Sequence, residues 1–362
     1  MQILKTMPVE ANKGATTDKK SAKALLMIDW APEKGCSLAD RLNDNGIECD
    51  VIGVDFPLAK WTPMRKFFSH WSRCIAVGWK AFRLRKNYDY IIAWQQIMGF
   101  VFGFLKVLTR AKKPGLFILT SNITERKNPF FGWIRKMMVR LAWAGADEVG
   151  FYSEKLKNSV AASFNLPKKK AVHLPYTINV RNFQPEPVEK LESYIFSIGI
   201  SYRDWKTLLA AAAKLPQRKF VLVTQEFTLQ GLSVPENVEC WHNTFGQKAK
   251  DLMSQASVIL TPLQFTDSPA GEATLLEGMA FEKPSIVTRT VTTGEYVNDK
   301  IDGLLIPDHD ADAMVEAIEY LYSNPESAQQ IGKQARERVL EFYSMEAFAA
   351  RIADIVRERL KK

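Results

Sequence analysis

Short apolar runs and amphipathic stretches alternate along this chain in one order, strand then helix, and that order restricts the fold more than any other feature. Residues 24–29 carry a buried-strand pattern, 38–45 a helix and 49–54 a second strand. The series continues with a strand over 90–94, a buried helix over 98–108, a strand over 116–120, a long helix over 129–144 and a strand over 148–152. Strands separated by helices pair in parallel, and the helices cover both faces of the sheet. Pro175, Pro185 and Pro187 and a Glu/Lys-rich stretch interrupt the pattern. A second series follows, with strands over 194–199, 220–224, 258–262 and 285–288 and helices over 205–214, 248–255, 273–281, 311–323 and 326–342.

The expected fold class is therefore α/β, with two Rossmann-like doubly wound domains facing a cleft. The expected boundaries are a disordered tail over 1–22, an N-terminal domain over 23–180, a linker over 181–193 and a C-terminal domain over 194–342. A last helix over 343–362 is placed to cross back to the N-terminal domain. The tail is polar and Lys/Thr-rich without a run of signal-peptide length. The longest uncharged stretch, between Asp89 and Lys106, is too short for the roughly 20 apolar residues of a spanning helix.

Four scattered cysteines and four scattered histidines give no CxxC and no HExxH, so neither a disulfide framework nor a metal site is expected. Charge is more informative. The net charge is +9, but residues 56–140 hold 17 Lys/Arg against two acids. A cationic first half implies a polyanionic surface opposite it. Met64, Phe67, Phe68, Trp71, Ile75, Gly78 and Phe82 share one helical face, expected to pack on the core, and Arg65, Lys66, Arg73, Lys80 and Arg83 gather on the other. A solvated basic face is the plain alternative. An anionic membrane is preferred, since each Lys/Arg near such a surface contributes about 1 kcal/mol. Residues 130–136 repeat the aromatic-plus-basic theme, and no nucleic-acid module matches, so nucleic acid is not an expected partner.

In the C-terminal half, Ser268, Pro269, Ala270, Gly271, Glu272, Ala273, Thr274 and Leu275 open a helix directly after a strand. Small residues there leave backbone N–H groups exposed at the positive helix end, a seat for phosphate. Glu277 lies one turn further in, within reach of neighbouring hydroxyls such as those of a ribose. An ordinary capped helix with Glu277 turned to water fits the residues equally well. Gly199, Arg203 and Lys206 stand at another strand-to-helix junction, where the cations serve either an anion or a surface pairing with Asp204. Asp308, Asp310 and Asp312 precede a helix, and capping explains them better than a metal motif.

The helix at 268–280, followed by Glu282-Lys283-Pro284-Ser285 and by residues 294–307, resembles the C-terminal signature of retaining GT-B glycosyltransferases of the group-1 (family-four) type. The resemblance runs from residue 194 to the C-terminus, with the linker entry at 175–183 also similar. It implies a nucleotide-sugar donor on the C-terminal domain, no cofactor and no metal. It assigns Glu277 to the ribose and Arg203 and Lys206 to the diphosphate, and it seats the donor on Gly199, Pro269, Ala270, Gly271, Thr274 and Leu275. The family's first helix glutamate is replaced by Pro269, with Glu272 as its substitute. The acceptor, a lipid-linked or cell-surface glycan, is expected at Trp30, Gly35, Trp94, Gln95, Ser121 and Asn122, the last two standing where the family places a histidine. A peripheral position at the inner membrane face follows. The rival activities are a nucleotide-sugar epimerase and a non-catalytic glycan-binding or scaffolding relative.

Overall fold

A computed structural model of the chain describes residues 3–4, 22–54, 63–120, 129–185, 194–266 and 268–361, with the backbone alone at 3–4, 63–68 and 129–131. Two compact units emerge, Met1–Pro175 with Met345–Lys362, and Tyr176–Ser344. Ser121 and Asn122, and residues 5–21 of the expected tail, lie outside the described residues, as do the side chains of Met64, Arg65, Lys66, Phe67 and Phe68.

In the first unit, β1 (Ile3–Leu4), β2 (Ala22–Met27), α1 (Ser37–Asp44), β3 (Ile47–Ile52), α2 (Pro63–Leu84), β4 (Tyr90–Ala93), α3 (Gln96–Leu108), β5 (Gly115–Ile118), α4 (Pro129–Ala144), β6 (Glu148–Phe151), α5 (Glu154–Phe164) and β7 (Ala171–His173) follow one another. The sheet order is β1-β3-β2-β4-β5-β6-β7, parallel except for β1 at the edge. Apolar residues run almost unbroken along β2 and β4 because both sheet faces are covered. The chain leaves β2 for β3 on one side and then crosses to β4 on the other, so the order reverses between β2 and β4.

The second unit contains β8 (Tyr194–Ile198), α6 (Trp205–Lys214), β9 (Lys219–Thr224), β10 (Val238–His242), α7 (Gln247–Gln255), β11 (Val258–Thr261), α8 (Glu272–Ala280), β12 (Ser285–Thr288), α9 (Thr293–Tyr296), β13 (Leu304–Ile306), α10 (Ala311–Ser323) and α11 (Pro325–Arg338). Its sheet, β10-β9-β8-β11-β12-β13, is parallel throughout, and the order reverses between β8 and β11. Side-chain caps set helix starts: Asp204 accepts from the Thr207 N–H at 3.1 Å and Asp310 from the Ala313 N–H at 2.9 Å. The last helix, α12 (Met345–Leu360), lays Phe348, Ile352 and Val356 on the first unit's core beside Leu38 and Leu42 of α1. Arg359 near its end pairs with Glu148, a fully buried carboxylate on β6 that also accepts from the Tyr90 hydroxyl.

Two expectations about side-chain placement are corrected. The buried arc of α2 is Cys74, Val77, Gly78, Ala81 and Phe82, while Trp71 and Ile75, expected inside, are exposed. Small residues let α2 approach closely: a Cβ on Gly78 would come within 2.9 Å of the Met98 carbonyl on α3. The larger side chains are thereby left at the margin. The helix expected to be buried over 98–108 is buried on one side only, with Phe104 and Leu108 exposed.

Candidate functional site

In open parallel sheets the loops at the carboxyl ends of the two strands flanking a reversal part to opposite faces, leaving room for a ligand. The second unit's reversal places the loop after β8 beside the loop between β11 and α8. Arg203 and Leu263 form an antiparallel bridge there, and the Asp204 N–H donates to the Pro262 carbonyl at 3.2 Å.

Arg203 locks this junction. Its Nε donates to the Ile198 carbonyl at 2.9 Å, Nη1 to the Ser201 carbonyl at 3.4 Å and Nη2 to the Thr274 hydroxyl at 2.9 Å. The residue is buried, and burial lowers its pKa to about 10, against the charge of Glu272, which raises it. Gly199 is held at φ +145°, and a Cβ there would lie 2.4 Å from the guanidinium Nε. Three of the five N–H donors of Arg203, the residue expected at the diphosphate, are thus engaged by the two loops, which it ties together. Lys206, in contrast, is exposed on the first turn of α6 and forms no ion pair among the described residues. Asp204, its plain alternative partner, caps α6 and pairs with His309 at 2.6 Å.

The start of α8 is open. Its N-cap, Gly271, has φ +86° and no side chain to cap the first amides. Glu272 closes the other side: one carboxylate oxygen accepts from the Ala270 N–H at 3.0 Å and from the Thr292 hydroxyl at 2.5 Å. It is buried, and burial pushes its carboxyl above the ordinary range. Glu272, expected at the donor sugar, ties the Ala270 turn to the threonine-rich turn at 290–293 through that one oxygen. Thr274 is likewise tied to Arg203, and Leu275 has its side chain in the core and its N–H bonded to Gly271 within the helix. Of the expected donor set, Gly199 lies against Arg203 and Gly271 against Leu263, Ala270 donates its N–H to Glu272, and Pro269 precedes them in the loop.

Glu277 differs from Glu272. It is half-buried, and its carboxyl has no hydrogen-bond partner among the described residues. Burial raises its carboxyl to about 7, and the Lys250 charge opposes this. A carboxylate kept partly out of water without a donor costs about 1–3 kcal/mol. Lys250 on α7 and Tyr176, whose phenol is raised by burial and then by Glu277 and Glu272, were not anticipated. Nothing in the chain marks them, since their neighbourhood with Glu277 arises from the fold alone.

The first unit's reversal, between β2 and β4, gathers the described part of the expected acceptor set. Trp30 and Trp94 meet edge to face with centroids 5.5 Å apart, and Trp30 Nε1 donates to the Gly35 carbonyl at 3.1 Å. Gln95 Nε2 donates to Asp29 at 3.0 Å, which adds a carboxylate that sequence reasoning counted only as the end of a strand. Elsewhere, Asp310 is the cap of α10 and Asp312 pairs with Lys214 at 2.5 Å.

Residues 194–338 match the family model described as glycosyl transferases group 1. A curated relative, O-antigen chain mannosyltransferase C of Escherichia coli, is 37% identical over 78 residues, which make up 21% of this chain and 21% of that one. The match thus spans about a fifth of that relative's length. Among solved structures, sucrose-phosphate synthase from Thermosynechococcus elongatus aligns with a TM-score of 0.71 at 19% identity, covering 94% of this chain and 99% of that one. HepE from Anabaena in complex with UDP gives 0.66 at 13% identity, covering 93% and 100%. At these identities the likeness concerns the fold, which is the two-unit α/β architecture of GT-B glycosyltransferases.

Proposed function

We propose that this chain, whose residues 194–338 match the family model of the group 1 glycosyl transferases, moves a sugar from a nucleotide-sugar to a lipid-linked or cell-surface glycan, with retention at the anomeric carbon. The observation that carries the reading is Glu277, a partly buried carboxyl without a donor, one turn inside a helix whose first amides have no side-chain cap. In this reading Glu277 accepts from the ribose hydroxyls, and the amides at the start of α8 meet the diphosphate. Lys206 neutralises the charge that grows on the departing nucleoside diphosphate, an effect realised in the transition state. Arg203 and Glu272 hold the two loops in register. The acceptor is assigned to Asp29, Trp30, Gly35, Trp94 and Gln95, since aromatic faces and paired amide–carboxylate groups suit a sugar's apolar and hydroxyl surfaces. The glycan class is supported by the similarity to the O-antigen mannosyltransferase.

Two results are expected. Lys206→Ala should retain the wild-type melting temperature, because the side chain is exposed, and lose turnover by about tenfold or more, the usual scale for removing a preorganised charge at a reaction centre. Steady-state kinetics beside a thermal melt checks this, and unchanged turnover removes Lys206 from the site. Activity should also survive chelation by EDTA, since the leaving group is assigned to side-chain and backbone donors. Loss with EDTA and recovery with manganese would overturn that assignment.

The cationic first unit is further assigned to an anionic membrane at the inner face of the cell, on the +15 charge of residues 56–140. No helix among the described residues is long and apolar enough to cross a membrane.

A further inference from the structure

Three adjacent helices, α2, α3 and α4, cover one face of the first unit's sheet and share one core: Val77, Ala81, Phe102, Leu105, Val139 and Trp143 lie in the same apolar cluster. Their outer face is unlike an ordinary solvated one. On α2, Trp71, Ile75 and Trp79 recur at every fourth position, and all are exposed, Trp79 at 53%. On α4, Trp133, Met137 and Leu141 recur in the same way, with Met138 beside them.

The middle helix is the most telling. Its single charged residue, Lys106, points inward, where it is 6% exposed and pairs with Asp147 at 2.7 Å. The outer side then carries Phe104 and Leu108, exposed at 44% and 68%, with Ile97, Phe100 and Val107 half-buried around them. No polar side chain interrupts that side until Thr109 and Arg110 beyond its end. A helix that turns its lysine to the core and its phenylalanine and leucine outward is suited to an apolar surrounding.

Charge identifies that surrounding. Across their full lengths α2, α3 and α4 contain no Asp or Glu. Arg73, Lys80 and Arg83 lie on α2 and Lys136 and Arg140 on α4, to the sides of the apolar stripe rather than within it. Exposed Arg110, Lys112 and Lys113 follow α3. An apolar strip with tryptophans near its edges and cations alone at its borders matches the layered chemistry of a bilayer surface, with acyl chains inside and anionic headgroups outside.

We propose that the outer face of α2, α3 and α4 inserts into one leaflet of an anionic bilayer, so that the chain is held by apolar burial and its cations meet the headgroups. The proposal rests on the membrane reading above and deepens it: contact by charge alone is reversed by salt, whereas insertion is not.

The test uses the full chain with vesicles of phosphatidylcholine containing phosphatidylglycerol. Wild-type protein should sediment with them at about 0.1 M salt and stay bound when salt is raised to about 1 M, where the Debye length is about 3 Å. Lipids brominated in their acyl chains should quench its tryptophan fluorescence. The exposed triple variant Phe104→Gln, Leu108→Gln, Trp133→Gln should keep nucleotide-sugar affinity and lose about tenfold or more in salt-resistant binding. Wild-type protein released by salt, without quenching, would overturn insertion and leave charge docking standing. No sedimentation at either salt would overturn both. Failure to bind vesicles together with self-association abolished by the triple variant would assign the face to a second copy of the chain, overturning the proposal.

Discussion

Glu277→Gln should abolish detectable sugar transfer, weaken nucleotide-sugar binding by about tenfold or more, and at the same time stabilise the protein in alkaline solution. The first two effects follow from losing a charge-assisted acceptor, worth roughly 1.5–3 kcal/mol. The third follows from linkage. The folded carboxyl titrates at about 7, above its ordinary 4.5, because burial disfavours its charge. Ionisation therefore costs the folded state more than the unfolded one. The penalty is absent below pH 4.5, grows between there and 7, and is fully present above 7. At about 1.4 kcal/mol per pKa unit it reaches at most about 3.5 kcal/mol. Denaturant melts at pH 5 and pH 9 read it: the variant should gain over wild type at pH 9 and hardly at pH 5. Wild-type nucleotide-sugar affinity should rise with pH through 7, as the empty site's carboxyl becomes an acceptor. A variant that binds and turns over like wild type would remove Glu277 from the site.

Arg203→Met should lower stability by about 3 kcal/mol or more and take nucleotide-sugar binding down with it. Removing the guanidinium takes its donors from the Thr274 hydroxyl and from the Ile198 carbonyl, which keeps a long bond of 3.5 Å from that hydroxyl, at about 1–3 kcal/mol for each buried acceptor left poorly met. Arg203→Lys should recover little, because one ammonium on a flexible stem does not span the three acceptors that the planar fork reaches. Thermal melts and calorimetry on the same samples check the account. Wild-type stability with lost binding would instead make Arg203 a direct ligand of the diphosphate.

That second case marks where sequence reasoning stops. The strand and helix order was legible because buried parallel strands are uniformly apolar and the helices between them are capped: α4 occupies 129–144 and α6 205–214, as the periodicity predicts. The edge strands β7, β10 and β13 and the helix α5 were not: β7 and β13 are three residues long, and β10 mixes polar with apolar residues. At the site, the open helix start and Glu277 were visible as a motif. The different placement of Arg203 and Lys206 was not. Both are cations three positions apart, and only the fold turns one into the β8–β11 junction and leaves the other outside. Asp29 was hidden for a related reason. It reads as the last residue of a strand until the β2–β4 reversal brings Gln95 to it at 3.0 Å. On α2 and α3 the pattern showed an apolar face without showing what it meets. Hydrophobic periodicity finds a stripe, but the small residues Cys74, Gly78 and Ala81 took the core and left Trp71 and Ile75 outside.

The central claim, that the second unit holds a nucleotide-sugar and releases its sugar for transfer, is tested most directly by incubating the purified chain with a panel of nucleotide-sugars and resolving the products. At least one donor should yield nucleoside diphosphate and free sugar by slow hydrolysis, with EDTA present, and Glu277→Gln should yield neither. Conversion of a donor into a different nucleotide-sugar would make the chain an epimerase. Donors left intact and unbound across the panel would contradict the account outright.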